Sequence, residues 1–252
     1  MEAFLNRNYL KFFLNKNNKN KYIKLFCKKD VFQPTETTKF LIQAIKINPS
    51  RKKVKILDLG CGNGVVGIYL LKKFKNIESV TFVDVSKKAI ANAQENCLLN
   101  KLSKKKTLFL QSNIFEKINN VKFDIIINDI SGISYTVAKI SNWFKNVPCE
   151  SGDDGTKLTL NVLKNFKLFL NKRGEIYYPI ISLSNEKRIF NYLKKKNIEA
   201  KTVSINEWPI PKEMYNHSSL FKKLKKLNKI NYENKYGLMI ANTKIFKIKL
   251  DK

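Results

Sequence analysis

The chain has 252 residues, 43% of them hydrophobic, with 49 Lys+Arg against 20 Asp+Glu and a net charge of +29. Such a length and apolar content fit one sizeable α/β domain and exclude a chain without a packed core. No run approaches eighteen uninterrupted apolar residues and the N-terminus lacks the apolar core of a secretory signal, so neither a membrane span nor export is expected.

Residues 1–30 form a basic Lys/Asn-rich extension, with "NKNNKNK" at 15–21 reading as a solvated linker. Ahead of that linker, Phe4, Leu5, Leu10, Phe12 and Phe13 suggest a short helix docked on the rest. The main domain is expected over 31–252. Its first helix follows Thr35–Thr38, with Phe40, Leu41, Ala44 and Ile45 as the apolar stripe. Strands are then expected at "KVKILDL", "SVTFVDV", "KTLFLQS", "FDIIIND", "GEIYYPIIS" and "EAKTVSI". Amphipathic helices alternate with them, one of them capped by Ser86. The alternation predicts an α/β fold: a doubly wound, mostly parallel, seven-stranded Rossmann-like sheet. "YGLMIANTKIFKIKL" holds two strand-like runs broken at Asn242-Thr243 and predicts an antiparallel C-terminal edge strand. A basic helical insertion at 212–235 precedes it, with Leu220, Phe221, Leu224, Leu227 and Ile230 on one side.

"VKILDLGCGNGVVGIYLLKKF" (54–74) carries two overlapping fingerprints. Gly62-x-Gly64-x-x-Gly67 fits a dinucleotide turn, and Asp58-x-Gly60-x-Gly62-x-Gly64 fits the turn of S-adenosylmethionine (SAM) enzymes. In both, a turn too tight for side chains brings backbone N–H groups to a ligand, and an acidic residue after the next strand, here Asp84, takes the ribose hydroxyls. Asp58 separates the two. A pyrophosphate would meet a like charge there, whereas a sulfonium and an α-ammonium meet an opposite one. The cofactor read from the residues is therefore SAM, with a nicotinamide oxidoreductase as the rival class.

"ILDLGCGNG", "FVDVS" and "FDIIIND" stand in the order and spacing of class I SAM-dependent methyltransferases, which the chain resembles over residues 31 to about 200. "VFQPTETTKFL" and "SGDDGTKLTLNVL" are similar to segments of the small-domain (MTS) branch, which includes release-factor glutamine and RNA adenine N-methyltransferases. The resemblance implies that Asp58 and the turn Gly60, Cys61, Gly62 and Gly64 hold the methionine part and ribose. It also implies that Thr38 reaches the methionine carboxylate and that Asp84 takes both ribose hydroxyls. Val85 would pack on the adenine, and Asn113 with Ile114 would read its edge.

One segment departs from the branch. Where its relatives carry Asn/Asp-Pro-Pro-aromatic, this chain has Asp129-Ile130-Ser131-Gly132, so the stacking ring and both stiffening prolines are missing. Asp129 is the candidate catalytic residue, a carboxylate at the ligand-facing end of the fourth strand. Ser131 and Gly132, and Asp154 from the polar loop after 147, are candidate substrate contacts. Trp143-Phe144 and Trp208-Pro209 flank the same sheet end and either shape an acceptor pocket or pack locally.

Other chemistries find little support. His217 is the single histidine, and Cys27, Cys61, Cys97 and Cys149 form no C-x-x-C pair, so no triad, metal site or disulfide framework is expected. Widely spaced free cysteines suit the cytoplasm. The charge invites RNA as a partner, yet only four basic residues are arginines and thirty residues are asparagine, a bias that an AT-rich genome also produces. The expectation is a SAM-dependent methyltransferase whose nitrogen or oxygen acceptor lies on RNA or a ribosomal or other translation protein. A small-molecule acceptor, or a non-catalytic SAM- or RNA-binding module, stays open.

Overall fold

Val54–Leu59 (β3) and Phe123–Asn128 (β6) carry apolar residues on both faces and are buried at all but their second positions, as suits strands at the centre of a covered parallel sheet. The computed structural model describes residues 9–13 and 22–250. Within them the order is β1 (Leu10–Phe13), β2 (Tyr22–Leu25), α1 (Glu36–Ala44), β3, α2 (Val65–Lys73), β4 (Ile77–Asp84), α3 (Lys87–Leu99), β5 (Thr107–Gln111), β6 and α4 (Tyr135–Ile140). Then follow α5 (Lys157–Phe169), β7 (Leu170–Ile181), α6 (Glu186–Lys195), β8 (Lys201–Pro209), α7 (Ser218–Lys226), β9 (Glu233–Lys235) and β10 (Leu238–Lys249).

The main sheet runs β5-β4-β3-β6-β7-β10-β8, with the short β9 paired to β10. Strands β5, β4, β3, β6 and β7 are parallel, and β10 is antiparallel to both β7 and β8. Neighbouring residues of β3 serve opposite faces: Ile56 joins a core with Leu41, Ile68 and Ala93, while Leu57 joins one with Leu163, Phe166 and Ile189. A third apolar cluster packs Phe221 and Leu224 of α7 and the following Ile230 against Ile133 and Val137. The chain order reverses direction at β3, and the carboxyl ends of β3, β4 and β6 meet there, where ligands of such sheets bind.

Three expectations change. Leu10–Phe13 is a strand paired with β2, not a helix: Phe12 packs edge-to-face on Tyr69 of α2 at 6.0 Å, and Ile23 and Leu25 are wholly buried. Phe4, Leu5 and the linker 15–21 lie outside the described residues. The C-terminal strand is unbroken at Asn242-Thr243, because Ser182 pairs with both backbone groups of Asn242 and the Thr243 hydroxyl accepts from the Trp208 indole. That strand is also not an edge. Its apolar residues Ala241, Ile245 and Ile248 are buried between β7 and β8, and the largely exposed β8 takes the edge.

The N-terminal segment is held by side chains rather than by the main sheet. Asn92 and Asn96 of α3 and Asn100, its C-cap, lie one turn apart. Asn100 accepts from the N–H of Lys24 and donates to its carbonyl, Asn96 does the same for Phe26, and Asn92 accepts from Lys28 N and donates to Phe26 O. The spacings agree: four helical residues rise about 6 Å and two extended residues about 6.6 Å. The helix thus offers donors and acceptors in the rhythm of a strand edge, and all three asparagines are buried.

Candidate active site

The turn after β3 is drawn against β4, with the N–H groups of Gly60 and Cys61 both donating to the Val83 carbonyl at 2.8 and 3.0 Å. Glycine is required at 60. Its φ is +72°, and a Cβ there would lie 3.0 Å from Cα of Ile130 and 3.1 Å from the carbonyl oxygen of Asp129. At 67 the need is closeness, since a Cβ would meet the Phe82 ring at 2.3 Å, so α2 can lie directly on β4.

Three carboxylates gather under and beside this turn. Asp58 is completely buried. Its Oδ2 accepts from the N–H of Gly67 at 3.0 Å, while its Oδ1 is buried with no hydrogen-bond partner. Burial, then the neighbouring Asp129, pushes its carboxyl up to about 8, with the Gly67 bond opposing. Asp84 accepts from Gly62 N (3.0 Å) and Ser86 N (2.9 Å), one per oxygen, and burial raises it against those bonds. Asp129 accepts from the Thr38 hydroxyl at 3.2 Å, and burial pushes it up to about 7. Among the described residues none of the three forms an ion pair. Buried carboxylates without a cation are costly, and the cluster suits a cationic ligand.

A cavity of about 740 Å³ opens over the turn. Thr38, Gly60, Cys61, Gly62, Asp84, Val85, Asn113, Ile114, Asp129, Ser131 and Gly132 all line it. Val85 is 53% exposed, an apolar surface for a flat ring to cover. The Asn113 amide donates to Glu116, which leaves its carbonyl to accept from a ligand. Ile114 sits at φ +51°, a strained setting for a β-branched residue.

Three of the sequence-derived site residues do not reach the cavity wall. Asp58 is turned beneath the loop and binds the first turn of α2. Gly64 faces α3, where a Cβ would lie 3.1 Å from that of Ala93. Asp154 is spent on its own loop, accepting from both N and Oγ1 of Thr156 and from Arg188.

The structure instead joins aromatic residues whose meeting the sequence left open. Phe32 packs on Phe144 with centroids 5.0 Å apart, and Trp143 meets Trp208 edge-to-face at 5.8 Å; all four line the cavity. Trp208 donates to Thr243, whose hydroxyl also contacts Thr37 at 3.1 Å. Phe32 and Glu150 are wall residues that the sequence reading missed. The adjacency of Phe32 to the "QPTE" segment was the available signal for the first, and its place in the polar loop that carries Asp154 for the second.

Strand order, glycine turn and the carboxylate ending β4 define the class I nucleoside-binding sheet of methyltransferases. Residues 23–129 match the family model described as "Methyltransferase small domain", and over that segment the chain is similar to SAM-dependent methyltransferases of the small-domain branch. The chain is 26% identical over 172 residues to a protein named as an N5-glutamine methyltransferase from Methanocaldococcus jannaschii, covering 68% of this chain and 83% of that protein. It is 40% identical over 98 residues to a release factor glutamine methyltransferase of Flavobacterium psychrophilum, covering 37% of this chain and 33% of the relative. This chain thus spans only a third of the length of that second relative. In fold it is similar to the ribosomal protein L11 methylase of Lactobacillus delbrueckii subsp. bulgaricus, with a TM-score of 0.53, 16% identity and coverage of 88% and 82%. Among the described residues, no helix is long and apolar enough to cross a membrane.

Proposed function

We propose that this chain transfers a methyl group from SAM to a nitrogen or oxygen acceptor on a protein of the translation apparatus. The observation that carries the donor half is the glycine turn with the carboxylates of Asp58 and Asp84, which hold no basic partner among the described residues and suit the positive charges of SAM. Bound there, SAM supplies a methyl carbon activated by a positive sulfur. Asp84 keeps a lone pair on each oxygen for the ribose hydroxyls, and the Asn113 carbonyl accepts from the adenine amino group. Val85 and Ile114 flank the ring and the glycine turn holds the methionine end, while the Thr38 hydroxyl gives its one proton to Asp129.

Displacement at a methyl carbon is in-line, and the protein acts chiefly by holding the reactants, an effect worth up to about 7–11 kcal/mol in favourable cases. Asp129 stands within the same cavity as a base for a protonated acceptor. The acceptor half draws on the names of relatives and neighbours, which include glutamine methylation of release factors and a ribosomal protein methylase. A cavity wall without Lys, Arg or His among the described residues favours a protein segment over a nucleic-acid backbone.

The test supplies methyl-labelled SAM and the purified chain to a lysate of its own host lacking the gene, then separates protein, RNA and small molecules. Label in the protein fraction supports the reading. Label in RNA or in small molecules replaces the acceptor class, and absence of both label and SAM binding overturns the donor.

A further inference from the structure

The acceptor side of the cavity differs in charge from the rest of the molecule. Basic residues outnumber acidic ones 49 to 20 over the chain. The cavity wall nevertheless contains five carboxylates and, among the described residues, no basic side chain. Two of them are neutralised from outside the wall, Asp30 by Lys88 at 2.6 Å and Glu36 by Lys39. Asp84 is engaged by backbone N–H groups at the ribose position. Among the described residues Asp129 and Glu150 remain without a basic partner. SAM, with two positive groups and one carboxylate, leaves part of that negative charge unanswered.

Aromatic faces surround the same space. Phe32 with Phe144, and Trp143 with Trp208, present rings whose faces attract cations, most strongly where water is excluded. Opposite them, Ser131 and Gly132 replace the stiff, stacking segment that a planar acceptor would need. A Cβ built on Gly132 would make only ordinary contacts, with the Thr159 hydroxyl at 3.6 Å and the Ile130 carbonyl oxygen at 3.8 Å, so this wall carries no ring and no bulky side chain at 132.

We infer that the acceptor is a primary aliphatic amine, admitted as an ammonium between the Phe32–Phe144 and Trp143–Trp208 pairs and delivered to Asp129. This rests on the methyltransferase reading above. Thr38 binds one oxygen of Asp129, and the other has no protein hydrogen bond among the described residues. Asp129 takes one proton from the ammonium. The freed nitrogen lone pair forms the N–C bond as the methyl C–S bond breaks, and that electron pair leaves on sulfur in S-adenosylhomocysteine. The product is the N-methylammonium, and Asp129 returns its proton to solvent.

The experiment divides the gene-deleted lysate in two and treats one half with N-hydroxysuccinimidyl acetate. That reagent caps primary amines and spares glutamine amides and adenine amino groups. Both halves receive the full chain and methyl-labelled SAM. The inference expects label to fall at least tenfold in the capped half. Label surviving acid hydrolysis as a methylated amino acid identifies a protein amine, and acid-soluble label identifies a small amine. Equal label in both halves, or label released as methylamine on hydrolysis, overturns the amine and leaves the methyltransferase standing. SAM binding without label in either half overturns the amine, and loss of SAM binding as well overturns both readings.

A second readout needs no turnover. The chain has two tryptophans and both line this cavity, so its indole fluorescence reports the acceptor side. N-acetyl-lysine methylamide should quench at concentrations at least tenfold lower than N-acetyl-glutamine methylamide, and equal response to the two contradicts the inference.

Discussion

The Thr38 hydroxyl donates to Oδ2 of Asp129 at 3.2 Å, tying the first turn of α1 to the end of β6 across 91 residues of chain. Thr38 is 2% exposed, and its bond is the one favourable contact that offsets the burial of the carboxylate. Thr38→Val removes that contact and raises the Asp129 carboxyl further. We expect a 10- to 100-fold loss of methyl transfer at pH 7, with part recovered as the pH rises. Asp129→Ala should lose turnover while keeping SAM affinity. A parallel pair of kcat/KM profiles and calorimetric titrations checks both, and equal loss of binding and turnover in Asp129→Ala contradicts the assignment.

Folding raises the carboxyls of Asp58 and Asp129 from near 3.8 to about 8 and about 7. Between those limits the folded chain binds more protons than the unfolded one. Their contribution to stability is therefore complete below about pH 4 and is lost as pH climbs towards 8. The ligand-free protein should melt several degrees lower at pH 8.5 than at pH 5.5, and Asp58→Asn should flatten that slope. For a chain of this length about 1 kcal/mol moves Tm by roughly 2–4 °C. Thermal melts of the two proteins across this range give the answer, and identical slopes remove Asp58 from the account.

Asn113 stands three residues before Glu116 and donates to it, which gives a reason for an amide rather than a carboxylate at this position. Asn113→Asp places two carboxylates in contact and should weaken SAM binding about tenfold or more. The double variant Asn113→Asp/Glu116→Gln should recover most of that loss. Titration of SAM into the three proteins decides it, and full affinity in the single variant means that Asn113 does not face the adenine.

Asn96 serves Phe26 twice and also donates to the carbonyl of Asn63 in the glycine turn. Asn96→Leu removes one bond to the Phe26 N–H, one to the Phe26 carbonyl, which Asn92 also serves, and one to the Asn63 carbonyl, and a buried polar group left unpaired costs about 1–3 kcal/mol. A fall in Tm of about 10 °C is expected, together with proteolytic cleavage near residues 24–28. An unchanged melt would mean that solvent replaces the amide without cost.

The sheet was legible because its strands are continuous apolar runs set off by amphipathic helices, and the donor turn because few residue types tolerate its backbone. Gly60 and Asp84 follow from the spacing of the turn and of the strand after it, and Asp129 from the resemblance to the small-domain branch. Contacts that depend on folding were not legible. Trp143 and Trp208 meet across 65 residues, and Asn242-Thr243 resembles a break until Ser182 and Trp208 are seen to satisfy it. Asp154 looked free in a polar loop, yet Arg188 from α6 claims it. The asparagines show the limit most plainly. Their abundance reads as composition, yet Asn92, Asn96 and Asn100 are fixed by a helical period that matters only once a strand lies alongside.

That ladder also links two events that seem remote. The amide hydrogens of Lys24 and Phe26 are covered by side chains of α3, so they reach solvent only when the strap lifts from the helix or the helix itself loosens. The same Asn96 holds the glycine turn through Asn63. Steadying the turn should therefore be felt at the strap, and SAM should slow deuterium uptake at residues 24–28, which lie outside the cavity wall. The N-terminal strap would then serve as a remote gauge of occupancy, read by mass without a label on the cofactor.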